Sequence, residues 1–180
     1  GSHCLMKQQS PWSVIHSSKD DCWRTPPKLF EKLNLEFDFK LDAAATFESK
    51  LCERYMGPDH GVHTWQDALS TDWISSGAIF CNPPYGRNVG KWVQQCWHQT
   101  YISKQPVVAL VMACTDTAWW HEFAWKADEI RLLRGRVSFL KPDGTKAAAA
   151  PKGSAIIIFR PHAPSDGWPG GPRVVSWSPR

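Results

Sequence analysis

Apolar and polar positions change period several times along the chain, and the changes mark out helices alternating with strands. Leu29, Phe30 and Leu33 lie at helical spacing behind Thr25-Pro26-Pro27. That reads as a threonine N-cap with proline in the first turn, so a short amphipathic helix is predicted. Phe37 to Leu41 alternates as a half-buried strand does, and delivers Asp42 and three alanines at its end. Thr46 to Tyr55 predicts a further helix. Gly57-Pro58-Asp59 then breaks the chain before a short extended piece ending near Trp65.

The best-defined unit follows. Gly77 to Cys81 is a short apolar strand running into Asn82-Pro83-Pro84-Tyr85, where two prolines forbid further pairing or helix. Val89, Trp92, Val93, Cys96, Trp97 and Tyr101 then recur at helical spacing. Val107 to Met112 is a continuous apolar run, as expected of a strand covered on both faces, and Thr115 to Trp125 predicts the next helix. Ile130 to Leu133, Arg136 to Leu140 and Ala155 to Phe159 read as strands, the last two joined by a flexible Lys141-to-Gly153 connection. Strands alternating with helices imply an open α/β sheet, mostly parallel, and the closing pair predicts an antiparallel edge strand.

Residues 1–20 lack periodicity and are expected to be a tag remnant, Gly1-Ser2-His3, followed by a flexible arm. Residues 21–161 would form one domain. The proline- and glycine-rich residues 162–180 are expected to be an irregular tail.

In an open α/β sheet, ligands bind at the carboxyl ends of the strands, where Asn82 to Tyr85 sit. The residue types suit methyl transfer to an amine whose lone pair is delocalised into a ring or carbonyl. The Asn82 side-chain oxygen and the Pro83 carbonyl can each accept one amine hydrogen, turning the lone pair toward a methyl donor, while proline rigidity holds the geometry. Tyr85 can stack on a flat base withdrawn from a duplex. A proline turn after a strand is the plain alternative. Cys81 precedes the tetrapeptide and is read as a core strand residue rather than a nucleophile.

Composition adds limits. Of 180 residues, 42% are hydrophobic and 21% charged, the balance of a globular protein. No apolar run approaches the roughly 20 residues that cross a bilayer, and no charged-then-apolar leader opens the chain, so a cytoplasmic protein without membrane contact is expected. The six cysteines show no paired spacing, and His60 and His63 lack further ligands, so no metal is expected. The net charge is +4, but Lys126 to Arg160 holds eight basic residues against three acidic ones. A solvated face and a phosphate-binding face explain that excess equally well.

The motifs taken in order resemble the small phage-type Dam family of DNA adenine N6-methyltransferases. The likeness rests on Asp21-Cys22-Trp23-Arg24-Thr25-Pro26, Leu41-Asp42-Ala43-Ala44-Ala45, Asp67-Ala68-Leu69 with Asp72-Trp73, and Phe80-Cys81-Asn82-Pro83-Pro84-Tyr85-Gly86. Later matches are Thr115-Asp116-Thr117, Gly135-Arg136-Val137-Ser138-Phe139 and Ile158-Phe159-Arg160-Pro161. The resemblance implies a Rossmann-like methyltransferase fold, S-adenosyl-L-methionine as cofactor and DNA as partner. It places Trp23, Thr25 and Pro26 over the cofactor and Asp42 at its methionine end, with Ala43, Ala44 and Asn82 also in the cofactor site and Asp67 facing the cofactor adenine or its amine. Asp59 is a candidate for the ribose and equally a turn residue. Phe139 resembles the aromatic that faces the target base opposite Tyr85, and is equally readable as core. The chain departs from the usual pattern in carrying alanines 43 to 45 where glycines normally follow the first strand.

The tetrapeptide alone leaves RNA adenine and protein glutamine open as targets, and an inactive nucleic-acid-binding module with the same fold is a further alternative. Without a long insertion, site specificity would have to come from loops.

Overall fold

The structure is a computed structural model, and it describes residues 23–147, 149–161 and 169–180. A seven-stranded sheet in the order β2-β1-β3-β4-β6-β5-β7 runs through its centre. The strands are β1 (Leu41–Asp42), β2 (Arg54–Tyr55), β3 (Ile79–Cys81), β4 (Val107–Met112), β5 (Glu129–Leu133), β6 (Ser154–Phe159) and β7 (Arg173–Trp177). The sheet is mostly parallel, as a Rossmann-like methyltransferase fold requires. Only β6 runs against its neighbours, β4 and β5. It is not the edge strand expected: it lies inside the sheet and all six of its residues are buried. An interior position suits Ala-Ile-Ile-Ile-Phe, which offers no polar face to solvent.

Alternate residues feed two cores. Ile79, Cys81, Val107, Ala109, Ile157 and Phe159 face α2 (Val89–Ser103) and α3 (Ala118–Glu122). Phe80, Val108, Leu110, Ile156 and Ile158 face α1 (Pro27–Phe37) and the 137–150 segment. Asn82 continues that alternation and emerges on the α1 side, with consequences for the site. Arg131, on β5, ties α1 to the sheet through two 2.7 Å bonds to the Glu36 carboxylate.

Several expected elements differ. Pro26, not Thr25, occupies the N-cap of α1, and its carbonyl accepts the amides of Leu29 and Phe30. The helix runs on to Phe37, Asp38 turns left-handed at φ 52°, and the Phe39 amide is taken by the Asn34 side chain. The strand expected from Phe37 therefore starts only at Leu41. Thr46 to Tyr55 is not a helix. Thr46 and Ser49 close a turn on each other's side chains, and the Leu51 amide goes to Asp42. Trp65 ends a 3-10 turn, His63–Trp65, instead of an extended piece.

Past the centre of the sheet, Arg136 to Leu140 forms no ladder beyond single bridges of Leu140 to Arg24 and Lys146. Its alternation arises because Val137 and Phe139 both point into the α1-side core. The connection expected to be flexible is folded from Lys141 to Thr145: Lys141 donates to the Thr145 carbonyl at 2.7 Å, and Gly144 makes the turn at φ 87°. The tail expected to be irregular contains β7, which pairs in parallel with β5. The expectations for residues 1–20 lie outside the described residues. Among the described residues no helix is long and apolar enough to cross a membrane.

Candidate active site

The carboxyl ends of β1, β2 and β3 surround a cavity with about 530 Å³ of empty space, part of it open to solvent. Of the residues singled out in the sequence, Trp23, Ala44, Asp67, Asn82 and Pro84 line it. Thr25, Pro26, Asp42, Ala43, Asp59, Pro83, Tyr85 and Phe139 do not. Each of these has another place.

Asn82 is 9% exposed, at the point where β3 stops. Its Nδ2 donates to the Trp23 carbonyl and to Thr25 Oγ1, both at 3.0 Å. A backbone carbonyl can only accept, so the nitrogen must face Trp23. Oδ1 is thereby turned the other way, buried and without a partner among the described residues. A buried acceptor left unsatisfied costs about 1–3 kcal/mol, so Oδ1, on a residue that lines the cavity, is available to a donor from outside the chain. Thr25, 4% exposed, thus anchors Asn82 instead of lining the cavity. Pro26 lines a separate groove.

Asp42 is 3% exposed at the end of β1. Its two oxygens accept the amides of Ala44 at 3.3 Å and Leu51 at 3.1 Å, drawing the Ala44-to-Leu51 loop around the cavity wall. Burial pushes its carboxyl up to about 7, although both amide bonds pull the other way. An unfolded aspartate titrates near 3.9, so the folded chain binds this proton more tightly. The contribution of Asp42 to stability is therefore full below about 4 and is lost as pH rises to about 7. We expect the urea midpoint of Asp42→Asn to gain on that of the unaltered chain over this interval and to run parallel above it. A constant difference from pH 4 to 8 would contradict the buried carboxyl.

Ala43 is fully buried in the core. Asp59 is exposed in the turn closed by the His60 amide on the Gly57 carbonyl, and its Oδ2 accepts the Phe47 amide at 2.9 Å, tying the two loops together. Asp67 is exposed at the rim and accepts the Leu69 amide at 3.1 Å. Tyr85, 3% exposed, meets the fully buried Phe139 edge-on, with centroids 5.4 Å apart and planes at 80°. The two rings expected to face a base are together, with one against the other.

Sequence reasoning missed part of the wall. Met56, Gly57 and Gln66 line the cavity from the segment after β2, and Trp92 from α2. Trp92 was readable only as a packing residue because its helical spacing is apolar; it serves both roles, being half-buried against the core as well. Gly57 had a signal, the Gly-Pro break, but not its partner Ala45. Thr115 and Asp116 are exposed away from the cavity, and Thr117 stands at the N-cap of α3.

Burial, then a hydrogen bond with Cys96, push the Cys81 thiol well up, so it is no thiolate. His60 Nδ1 accepts the Val62 amide at 2.9 Å while its ring lies against Tyr55 and Trp65.

Residues 12–171 match the family model described as DNA N-6-adenine-methyltransferase (Dam). A DNA N-6-adenine-methyltransferase of Escherichia phage T1 is 29% identical over 160 residues, covering 78% of this chain and 63% of that protein. The chain thus spans less than two thirds of that relative's length. A match over most of the chain, with the tetrapeptide at the end of β3 beside a cavity, places it in one family: the chain belongs to the DNA N-6-adenine-methyltransferase (Dam) family.

Proposed function

We propose that the chain transfers a methyl group from S-adenosylmethionine to N6 of adenine in DNA. The observation that carries this is Asn82 Oδ1, a buried acceptor without a partner among the described residues, on a side chain beside a cavity at the carboxyl edge of the sheet. The cavity's lining suits the cofactor: Trp23, Trp92 and Met56 offer apolar surface, and Gln66 and Asp67 offer polar groups at the rim. Trp23, Ala44, Asp67 and Asn82 would hold it. The cofactor supplies an electrophilic methyl group.

The chain's own residues do the rest. Asn82 Oδ1 and the Pro83 carbonyl accept the two hydrogens of the adenine amine, so its lone pair leaves the ring and becomes nucleophilic. The new N–C bond leaves the amine nitrogen cationic, and its extra proton, hydrogen-bonded to these oxygens, passes on to solvent because neither neutral oxygen can keep it. Pro83 and Pro84 fix the acceptors before the base arrives. The adenine, extruded from its stack, enters where Tyr85 now meets Phe139, and the two rings separate to admit it.

Product identity is the test. The protein is incubated with S-adenosylmethionine labelled in the methyl group and with DNA, RNA or protein, and the modified unit is identified after digestion. N6-methyladenine from DNA is expected; label only in RNA or protein would overturn the proposal.

Thr25 acts here as a positioning residue. Thr25→Val keeps the shape and removes one of the two anchors on Nδ2, worth about 0.5–1.5 kcal/mol. We expect kcat to fall roughly 3- to 10-fold with KM for both substrates unchanged, and Thr25→Ser to restore it. A serine variant as slow as the valine one would rule out the hydroxyl's role.

A further inference from the structure

A second concavity lies beyond the Trp23-to-Pro26 segment, an open groove with about 980 Å³ of empty space. Its charged lining is Lys28, Arg136 and Arg180, and among the described residues no Asp or Glu side chain borders it. Its floor is apolar, from Pro26, Leu29 and Val137. The walls are set by contacts elsewhere. Arg136 Nη1 donates to the Ala150 carbonyl at 3.2 Å, and Lys32 Nζ donates to the carbonyls of Ser178 and Arg180, fixing the C-terminal segment beside α1. The first turn of α1 carries no acidic side chain.

The groove adjoins the tetrapeptide through two short connections. Pro26 follows Thr25, which is bonded to Asn82. Val137 precedes by two residues Phe139, which meets Tyr85. We propose that this groove holds the stretch of DNA strand next to the target adenine, with a backbone phosphate on Lys28 and Arg136 and the neighbouring base on the apolar floor. This rests on the DNA reading above. Cations around an apolar floor match a nucleotide, which presents an anionic phosphate and a flat apolar base face, whereas an acidic peptide would offer nothing for the floor. An extruded base requires its neighbours to be held, since the chain must fix the backbone on at least one side of the flip.

The test uses the full chain and a fluorescent adenine-containing oligonucleotide, with affinity measured by anisotropy from low to moderate salt and with methylation kinetics. Lys28→Gln and Arg136→Gln are each expected to weaken binding and to reduce the slope of log affinity against log salt by about 0.7–0.9. KM for DNA should rise several-fold, with kcat at saturating DNA and cofactor affinity unchanged, while Arg136→Lys should retain the slope. Lys104→Gln is the equal-charge control: Lys104 lies between α2 and β4, at the amino edge of the sheet, and should leave the slope alone. If the unaltered chain methylates DNA but Lys28→Gln and Arg136→Gln keep its slope and KM, the groove assignment fails by itself. A loss of slope as large in Lys104→Gln overturns it too, because bulk charge would then explain the effect. If the unaltered chain neither binds nor methylates DNA, the DNA reading and the groove fall together.

Discussion

Asn82→Ala is expected to lower kcat by about 10²–10³-fold, on the scale seen when one preorganised polar group is removed from a transition-state site. The reason lies in how the carboxamide is spent. Its nitrogen is committed to Trp23 and Thr25, so its oxygen has only the incoming amine to serve. Alanine removes that acceptor and leaves the amine lone pair delocalised. Asn82→Asp is expected to be nearly as slow, since one carboxylate oxygen would then face the Trp23 carbonyl, acceptor against acceptor. Single-turnover methylation at saturating substrates measures this, with thermal unfolding of each variant to show that the fold is kept. A kcat within about threefold of the unaltered chain would remove Asn82 from the chemistry.

Gly57→Ala is expected to destabilise the chain by about 3 kcal/mol, at the upper end of ordinary overpacking. A Cβ on Gly57 would stand 1.6 Å from the Ala45 carbonyl oxygen and 2.8 Å from its carbon. Neither backbone can give way cheaply. The Ala45 amide donates to the Met56 carbonyl, the Met56 amide to the Asp42 carbonyl, and the Gly57 amide to that of Trp65. Since Ala45 and Gly57 both line the cavity, the variant should also bind S-adenosylmethionine more weakly. Melting should fall by roughly 6–12 °C for a chain of this size. Gly61→Ala, with nothing within 4 Å of the added carbon, should stay within about 0.5 kcal/mol and serves as the comparison. Equal melting of the two variants would show that the 45–57 contact is loose.

Local pattern was enough where neighbours in sequence settle the structure. The strand into Asn82-Pro83-Pro84-Tyr85 and the helix after it could be read because two prolines end the ladder and an apolar stripe resumes at once. It failed where long-range contacts decide. The alternation of Arg136 to Leu140 is that of two side chains filling a core from a loop. β7 was hidden by the prolines and glycines before it, and as an edge strand it buries little. Thr25 looks like a cap because Pro26 follows, yet its hydroxyl serves a side chain 57 residues away. Asp42 was expected at a strand end near a cofactor, but no local pattern shows that its oxygens accept the amides of Ala44 and Leu51. A partner distant in sequence leaves no period to detect.

The segment that bonds Asn82 gives Trp23 to the cavity and Pro26 to the groove. Two ligands would thus press on one short piece of backbone whose position also aims the Asn82 side-chain oxygen. Whatever factor the cofactor imposes on DNA affinity through that piece, DNA must impose on cofactor affinity. Turnover would then be a thermodynamic cycle: a methyl group lost from one side alters the grip on the other, so that release of either product reports the state of its neighbour.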